Sequence, residues 1–254
     1  MITKDPKEIK ALRQGGRILA MALNKAAAAV RPGISAFELD QISEAVIRNN
    51  GAIPSFKNCR PSKNSLPFPA SLCVSINNEV VHGIPSKEKI LREGDIVGLD
   101  AGVEYQGLFT DGAVTVGVGN VKPEFLKLIE VTLDALKAAL ENVKPGNFIG
   151  DVSSAIQAVA EKNGFSPVRE LVGHGVGRAI HEDPEIPCFG NPKTGPKIVS
   201  GMVLAIEPMV NLGNWKVEFN GPWSVKTSDG LPSAHFEHTV LVTDQGCEIL
   251  TSMV

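Results

Sequence analysis

The 254 residues include only four cysteines, at positions 59, 73, 188 and 247, and no two stand in a CxxC spacing. That is too little sulfur for a disulfide framework, a structural zinc site or an iron–sulfur cluster. No GxGxxG or GxxxxGK[ST] run offers a phosphate cradle, so a nucleotide-dependent enzyme is not indicated. Long apolar runs are missing too. The most apolar early stretch, LAMALNKAAAAV, is broken by Asn24 and Lys25, and the opening MITKDPKEIKALRQGG carries charges where a secretory signal needs its apolar centre. No membrane span is therefore expected, and reduced thiols in the cytoplasm are. Nor does one charge dominate. The 25 Lys and Arg against 28 Asp and Glu leave a formal net charge of -3, with no global field to attract nucleic acid or anionic lipid.

What remains is the composition of an ordinary globular protein, 43% apolar and 21% charged, on a chain long enough to bury a self-sufficient core. The 25 glycines and 17 prolines fall singly between periodic segments, which predicts many turns within one body over residues 1–254. That body repeats itself. VRPGISAFELDQISEAVIRNNG, ending at Gly51, and VKPGNFIGDVSSAIQAVAEKNG, ending at Gly164, align at a constant offset of 113 residues. Each reads as a helix end, a Pro-Gly turn, a second amphipathic helix and a glycine stop. Ser35 and Glu38 have capping-box spacing at the start of the first copy's second helix. Two unrelated hairpins with similar punctuation are the alternative. Turn, helix length and stop recur together, which favours duplication and predicts two like halves about a central cleft.

Between the helical segments the period shortens. Residues 72–76, 80–82, 96–103 and 108–116 read as strands, 123–143 as a long helix, and 168–172, 202–210, 215–219, 223–227, 236–242 and 248–250 as further strands. Helices followed by strands, twice, indicate an α+β fold with helices covering the sheets. The proline-rich stretch 53–70 is the expected mobile or substrate-facing loop.

Acidic residues sit in unusual places. In DIVGLDAGVEYQGLFTDGAV a reversal centred on Tyr105 and Gln106 sets Asp100 directly opposite Asp111, on the face shared by Ile96 and Gly98. Two opposed carboxylates in a sheet core repel unless a proton or a cation lies between them; an edge hairpin with two solvated acids is the alternative. His174, between Gly173 and Gly175, has room for a close backbone approach and an exposed ring; His181 lies seven residues on, and His82 ends a strand before a glycine. Glu207 interrupts VLAIEPMV and Glu237 opens EHTVLV, positions costly for a carboxylate unless it is paired or coordinated, or guards a sheet edge. Two aspartates, two glutamates and a histidine could bridge two divalent metals, for which Mn, Fe, Co and Zn are suitable.

These residues carry a family resemblance. SINNEVVHGIP, DIVGLDAGVEYQGLFTDGA, GHGVGRAIHEDP, GMVLAIEPMV and SAHFEHTVLV closely resemble, in order and spacing, the motifs of type I methionine aminopeptidases of the pita-bread metallopeptidase fold, over nearly the whole chain. The resemblance implies a pita-bread α+β fold around a metal cleft. It implies removal of the initiator methionine from nascent proteins and peptides when the second residue is small, with water activated by two divalent metal ions, Co, Mn, Fe or Zn. Asp100, Asp111, His174, Glu207 and Glu237 would hold the metals, Asp111 and Glu237 bridging them, Asp100 completing one ion, and His174 with Glu207 the other. His181 would contact the peptide group and steady the tetrahedral intermediate. His82 would touch the scissile region or the amino terminus and assist proton transfer, while Glu207 would also carry a proton to the leaving amine. Phe68, Cys73 and Trp223 match the family's methionine pocket, and His82 and His181 complete the substrate contacts. Ile180 stands where an aromatic is frequent, and Ser62 and Ser65 where many bacterial members have cysteine and tyrosine. The N-terminal domain usual in prolidases and the insertion usual in type II enzymes are not expected. The implied partners are nascent polypeptides with N-terminal methionine and a transient ribosome contact through the compact domain itself. No specific nucleic acid and no membrane are expected, and the chain would act as a monomer.

Overall fold

The computed structural model describes residues 1–60 and 65–252. Helix α1 (Pro6–Ala29) starts behind Asp5, whose carboxylate accepts the Lys7 N–H at 2.9 Å. Helix α2 (Ala36–Asn49) carries the expected capping box: the Ser35 hydroxyl accepts the Glu38 N–H at 3.2 Å, and the Glu38 carboxylate accepts the Ser35 N–H at 2.9 Å. There follow β1 (Ile53–Pro54), β2 (Cys73–Ile76), β3 (Glu79–Val81) and the long hairpin β4 (Ile96–Tyr105) and β5 (Leu108–Gly117). The second half opens with α3 (Pro123–Asn142), α4 (Ile149–Lys162) and β6 (Ser166–Pro167). A shift of 113 residues carries α2 onto α4 and β1 onto β6, end for end. One arm of the cap survives in the second copy, where Asp151 accepts the Phe148 N–H at 2.8 Å; Phe148, in the place of Ser35, has no oxygen to return.

The remaining strands are β7 (Val172–Gly175), β8 (Glu182–Pro187), β9 (Val203–Ile206), β10 (Met209–Asn211), β11 (Val217–Asn220), β12 (Ser224–Thr227), β13 (Ser233–His235), β14 (Glu237–Val242) and β15 (Cys247–Ile249). A nine-stranded sheet runs β1-β4-β5-β14-β9-β7-β8, with β2 on β4 and β15 on β14; β13-β10-β6 and β11-β12-β3 form two small sheets. Pairing extends the repeat into the strands. Ile53 pairs with Glu104 and its equivalent Ser166 with Asn211, so β4 corresponds to β9 and β10 at an offset of 107 residues. Val97, Leu99, Ala101 and Val103 of β4 are fully buried with Ile18, Leu19, Leu39 and Ile47 of α1 and α2, each burial contributing about 1.5–3 kcal/mol for the larger side chains. Strand alternation sends Asp100 to the opposite face, which the helices do not cover. Among the described residues no helix is long and apolar enough to cross a membrane.

Several expectations need correction. The hairpin register is shifted by two residues: Asp100 pairs with Ala113, and Asp111 with Gly102. The turn is Gln106-Gly107, both at positive φ (+53° and +78°), the geometry that closes a two-residue hairpin without splaying its strands. A two-residue shift preserves parity, so both aspartates still face the cleft, as diagonal rather than direct neighbours. The strand expected at 168–172 is absent, because the exposed Arg169-Glu170 bend intervenes between β6 and β7; His174 consequently lies inside β7, and its ring is buried rather than exposed. Residues 202–210 form two strands, since Pro208 lacks the N–H a continuous ladder needs, and β9 and β10 join different sheets. Opposite that break, 236–242 starts one residue late, with β13 ending at His235 before Phe236.

Candidate metal centre

Five side chains converge where β5 meets β14. Asp100 of β4 and Asp111 of β5 come from the first half; His174 of β7, Glu207 after β9 and Glu237 of β14 come from the second. Ligand atoms of Asp100, Asp111 and Glu237 lie within 4.8 Å of one another, as do those of His174, Glu207 and Glu237, and those of Asp111, His174 and His181. Glu237 and Asp111 each belong to two groups. Asp100 and Glu207 are topological equivalents, because the offset that carries Glu104 to Asn211 also carries Asp100 to Glu207.

Small residues permit this convergence. A Cβ on Gly173 would lie 2.6 Å from the Ala205 carbonyl oxygen, and one on Gly175 would lie 2.1 Å from that of Asp183, so the backbone around His174 approaches as closely as the sequence suggests. The His174 Nδ1 lies 2.9 Å from the Gly175 carbonyl oxygen, an arrangement that places the proton there and leaves Nε2 as the lone-pair nitrogen, 3.4 Å from Glu207 Oε1 and 3.9 Å from Asp111 Oδ2. Asp111 is fixed through its backbone: the Thr239 hydroxyl accepts its N–H and donates to its carbonyl, both at 2.8 Å.

The donor chemistry fits two divalent cations. Asp100 Oδ1 and Glu237 Oε1 are buried without a hydrogen-bond partner among the described residues, a costly state for oxygens unless a cation or proton meets them. Desolvation pushes the Asp100 carboxyl up to about 7, with His235 opposing and Glu207 adding to the rise. Burial, then repulsion from neighbouring carboxylates, raises Asp111 and Glu237 well above the ordinary range. Such groups hold protons more tightly in the folded than in the unfolded chain, so their stabilising contribution is complete below about pH 4 and is lost as the pH climbs through about 7. Metal-free protein should therefore melt several degrees lower at pH 8 than at pH 5.5, and adding Mn(II) at pH 8 should remove most of the gap. Thermal melts with and without the ion check this; a metal-free melting point that rises over that interval would contradict the burial of three acids.

Three further imidazoles surround the cluster. The His181 ring lies 4.5 Å from that of His174, centroid to centroid, and partial desolvation followed by the proximity of His174 lowers its pKa to about 4. His82, held at φ +58°, is likewise lowered by desolvation, so both are neutral at neutral pH. Gly83 beside it has no room for a side chain, a Cβ there falling 2.3 Å from the Val74 carbonyl oxygen. His235, to which sequence reasoning gave no role, places Nε2 3.5 Å from Glu207 Oε2. Its sequence signal is parity, two residues from Glu237 and therefore on the same face. His238 has the opposite parity and bonds Thr251 Oγ1 at 2.9 Å instead.

Together with His82, His174 and His181, the acids line a cavity of about 130 Å³, smaller than the roughly 300–1,000 Å³ of a drug-sized site. Its apolar wall includes Phe68, Cys73 and Trp223, the three expected residues, with Phe56, Cys59 and Met209, which were not singled out. Phe68 meets Trp223 edge to face at 5.3 Å. The described parts of the 53–70 stretch meet at this wall, the Asn58 N–H donating to the Phe68 carbonyl and the Phe68 N–H to that of Cys59, each at 2.9 Å. Ile180 packs over Gly102, where a Cβ would lie 2.1 Å from Ser55 Oγ, so that side chains around it would have to shift to admit one. Ser62 lies outside the described residues, and Ser65 is half-buried.

Residues 10–244 match metallopeptidase family M24. The methionine aminopeptidase of Clostridium perfringens is 48% identical over 252 residues, covering 99% of this chain and 98% of that protein. Methionine aminopeptidase 1 of Bacillus subtilis is 46% identical, covering 99% of each. The crystal structure of methionine aminopeptidase from Thermotoga maritima superposes with a TM-score of 0.95 at 43% identity, over 100% of both chains.

Proposed function

The chain belongs to metallopeptidase family M24, and from that membership and the geometry of its cleft we propose that it removes the N-terminal methionine of nascent proteins and peptides whose second residue is small. The observation that carries this reading is the pair of ligand groups joined at Glu237, lining one small cavity together with the apolar side chains of Phe68, Cys73 and Trp223. Asp100, Asp111 and Glu237 would hold one divalent ion, and His174, Glu207 and Glu237, with Asp111, the other; the oxygen-rich set suits Mn, Fe, Co or Zn. When bound, two such ions polarise the scissile carbonyl and lower the pKa of water.

The chain's own residues do the rest. Phe68, Cys73 and Trp223 enclose the unbranched methionine side chain and exclude water from it. His181, neutral at working pH, donates its one ring N–H to the peptide group. His82 contacts the amino terminus or the scissile bond and assists proton transfer, and a carboxylate oxygen of Glu207 accepts a proton and passes it to the departing amine. The protein would act in the cytoplasm as a monomer, on chains leaving the ribosome; four unpaired cysteine thiols agree with a reducing compartment.

A peptide panel tests this. Met-Xaa-Ser substrates should be cleaved well with Xaa from Gly to Val and about 100-fold less with Leu, Lys or Glu, because a displaced carbonyl of about 1 Å costs that much. Trp223→Ala should reduce the Met-Ala-Ser over Leu-Ala-Ser ratio of kcat/KM by roughly 5- to 150-fold, the worth of one aromatic wall at about 1–3 kcal/mol. Equal cleavage of Met-Lys-Ser and Met-Ala-Ser, or a preference for Xaa-Pro peptides, would defeat the assignment.

A further inference from the structure

The repeat assigns His235 a twin. Gly102 pairs with Asp111, and Met209, the equivalent of Gly102, pairs with His235. His235 therefore occupies in the second half the position that Asp111 holds in the first. The surrounding contacts repeat as well. The Thr239 hydroxyl accepts the Asp111 N–H and donates to its carbonyl; the Thr115 hydroxyl accepts the His235 N–H at 2.9 Å and donates to the His235 carbonyl at 2.7 Å. Each threonine is fully or almost fully buried, and each is the twin of the other by the same strand pairing. A hydroxyl that both accepts and donates locks the backbone of its partner, so both side chains are delivered into one cleft with fixed direction.

The two twins have diverged in chemistry. Ligand atoms of Asp111 fall within two of the metal-holding groups, whereas His235 falls within none. His235 is 3% exposed, and its Nε2 has no hydrogen-bond partner among the described residues except the approach to Glu207 Oε2 at 3.5 Å. Glu207 thus stands between two imidazoles, Oε1 toward His174 Nε2 at 3.4 Å and Oε2 toward His235 Nε2. A free carboxylate can rotate or chelate through both oxygens. One whose second oxygen is engaged by a donor presents only the first.

We propose that His235 is a positioning residue: its Nε2–H engages Oε2 of Glu207, committing Oε1 to the ion held with His174 and fixing the direction in which Glu207 handles its proton. The proposal rests on the reading that Glu207 is a metal ligand. It concerns the ion on the His174 side, because the approach of His235 Nε2 is to Glu207, whereas Asp111 is held by Thr239.

The test is a calorimetric titration of metal-stripped wild type, His235→Leu and His235→Gln with Mn(II), alongside melting of the metal-free proteins and assay of Met-Ala-Ser cleavage. All three should bind two ions. His235→Leu should weaken one of them by about 10- to 100-fold and leave the other unchanged, with kcat falling more than KM rises. His235→Gln, whose amide can donate from a similar reach, should recover most of the lost affinity. The proposal is overturned if His235→Leu binds both ions as wild type does, if glutamine performs no better than leucine, or if both ions weaken together with a lowered metal-free melting point, the mark of a packing role. A wild type that takes up fewer than two ions would overturn the dinuclear reading itself, a result distinct from all of these.

Discussion

Glu237→Gln should lower kcat/KM by at least about 1,000-fold, a loss of about 4 kcal/mol in transition-state stabilisation, and should reduce the bound metal from two equivalents to one or none. Glu237 is the residue common to the first-half and second-half carboxylate groups. Its neutral amide counterpart offers a single good acceptor oxygen where two cations need two. At pH 8 the metal-free variant should nevertheless melt above metal-free wild type, since one of three mutually repelling buried acids can no longer ionise. Atomic absorption after dialysis, paired with turnover and melting, reads all three. Retention of two ions at wild-type affinity would remove Glu237 from its bridging position.

His181→Ala should keep both metals and lose about 100- to 1,000-fold in turnover, the usual consequence of deleting one donor to a developing oxyanion. His174→Ala should lose turnover and metal together. The contrast matters because His181 also stands within reach of Asp111 and His174, close enough to be a ligand on distance alone. His174 has its Nδ1 tied to the Gly175 carbonyl and its ring buried, the arrangement of a fixed ligand. His181 is exposed as a residue and lines the cavity, where a substrate would arrive. Equal metal loss in the two variants would show that both rings coordinate.

Much of this was legible in the residue order, for identifiable reasons. Helix caps, Pro-Gly turns and glycine stops are local signals, so the 113-residue repeat survives in the structure to the ends of α2 and α4. Strand parity is also local, and it placed Asp100 and Asp111 on one face. Register is not local. It depends on which two residues adopt positive φ, and Gln106, unlike glycine or asparagine, gives little warning of that. The separation of β9 from β10 was written in Pro208, but the matching break at Phe236 follows from its partner strand and has no signal of its own. Cys59 and Phe56 reach the cavity where Asn58 and Cys59 pair with Phe68, a contact that no local signal marks. His235 was visible by parity with Glu237; what hid it was the absence of any neighbouring motif residue to give it a task.

The pseudo-twofold arrangement bears on direction. Two identical halves would enclose a cleft that looks the same from either end, and such a cleft cannot distinguish the amino end of a peptide from its carboxyl end. Across the repeat, Asp100 and Glu207 have kept like chemistry. Strand pairing matches His174 to Ser75, Glu237 to Ala113 and His235 to Asp111, and at each of these the halves differ in charge or donor type. His174 and His235 come from one half, and the two aspartates from the other. The difference between the halves, rather than their likeness, gives the cleft a polarity, and an exopeptidase must have one to read a chain from its first residue.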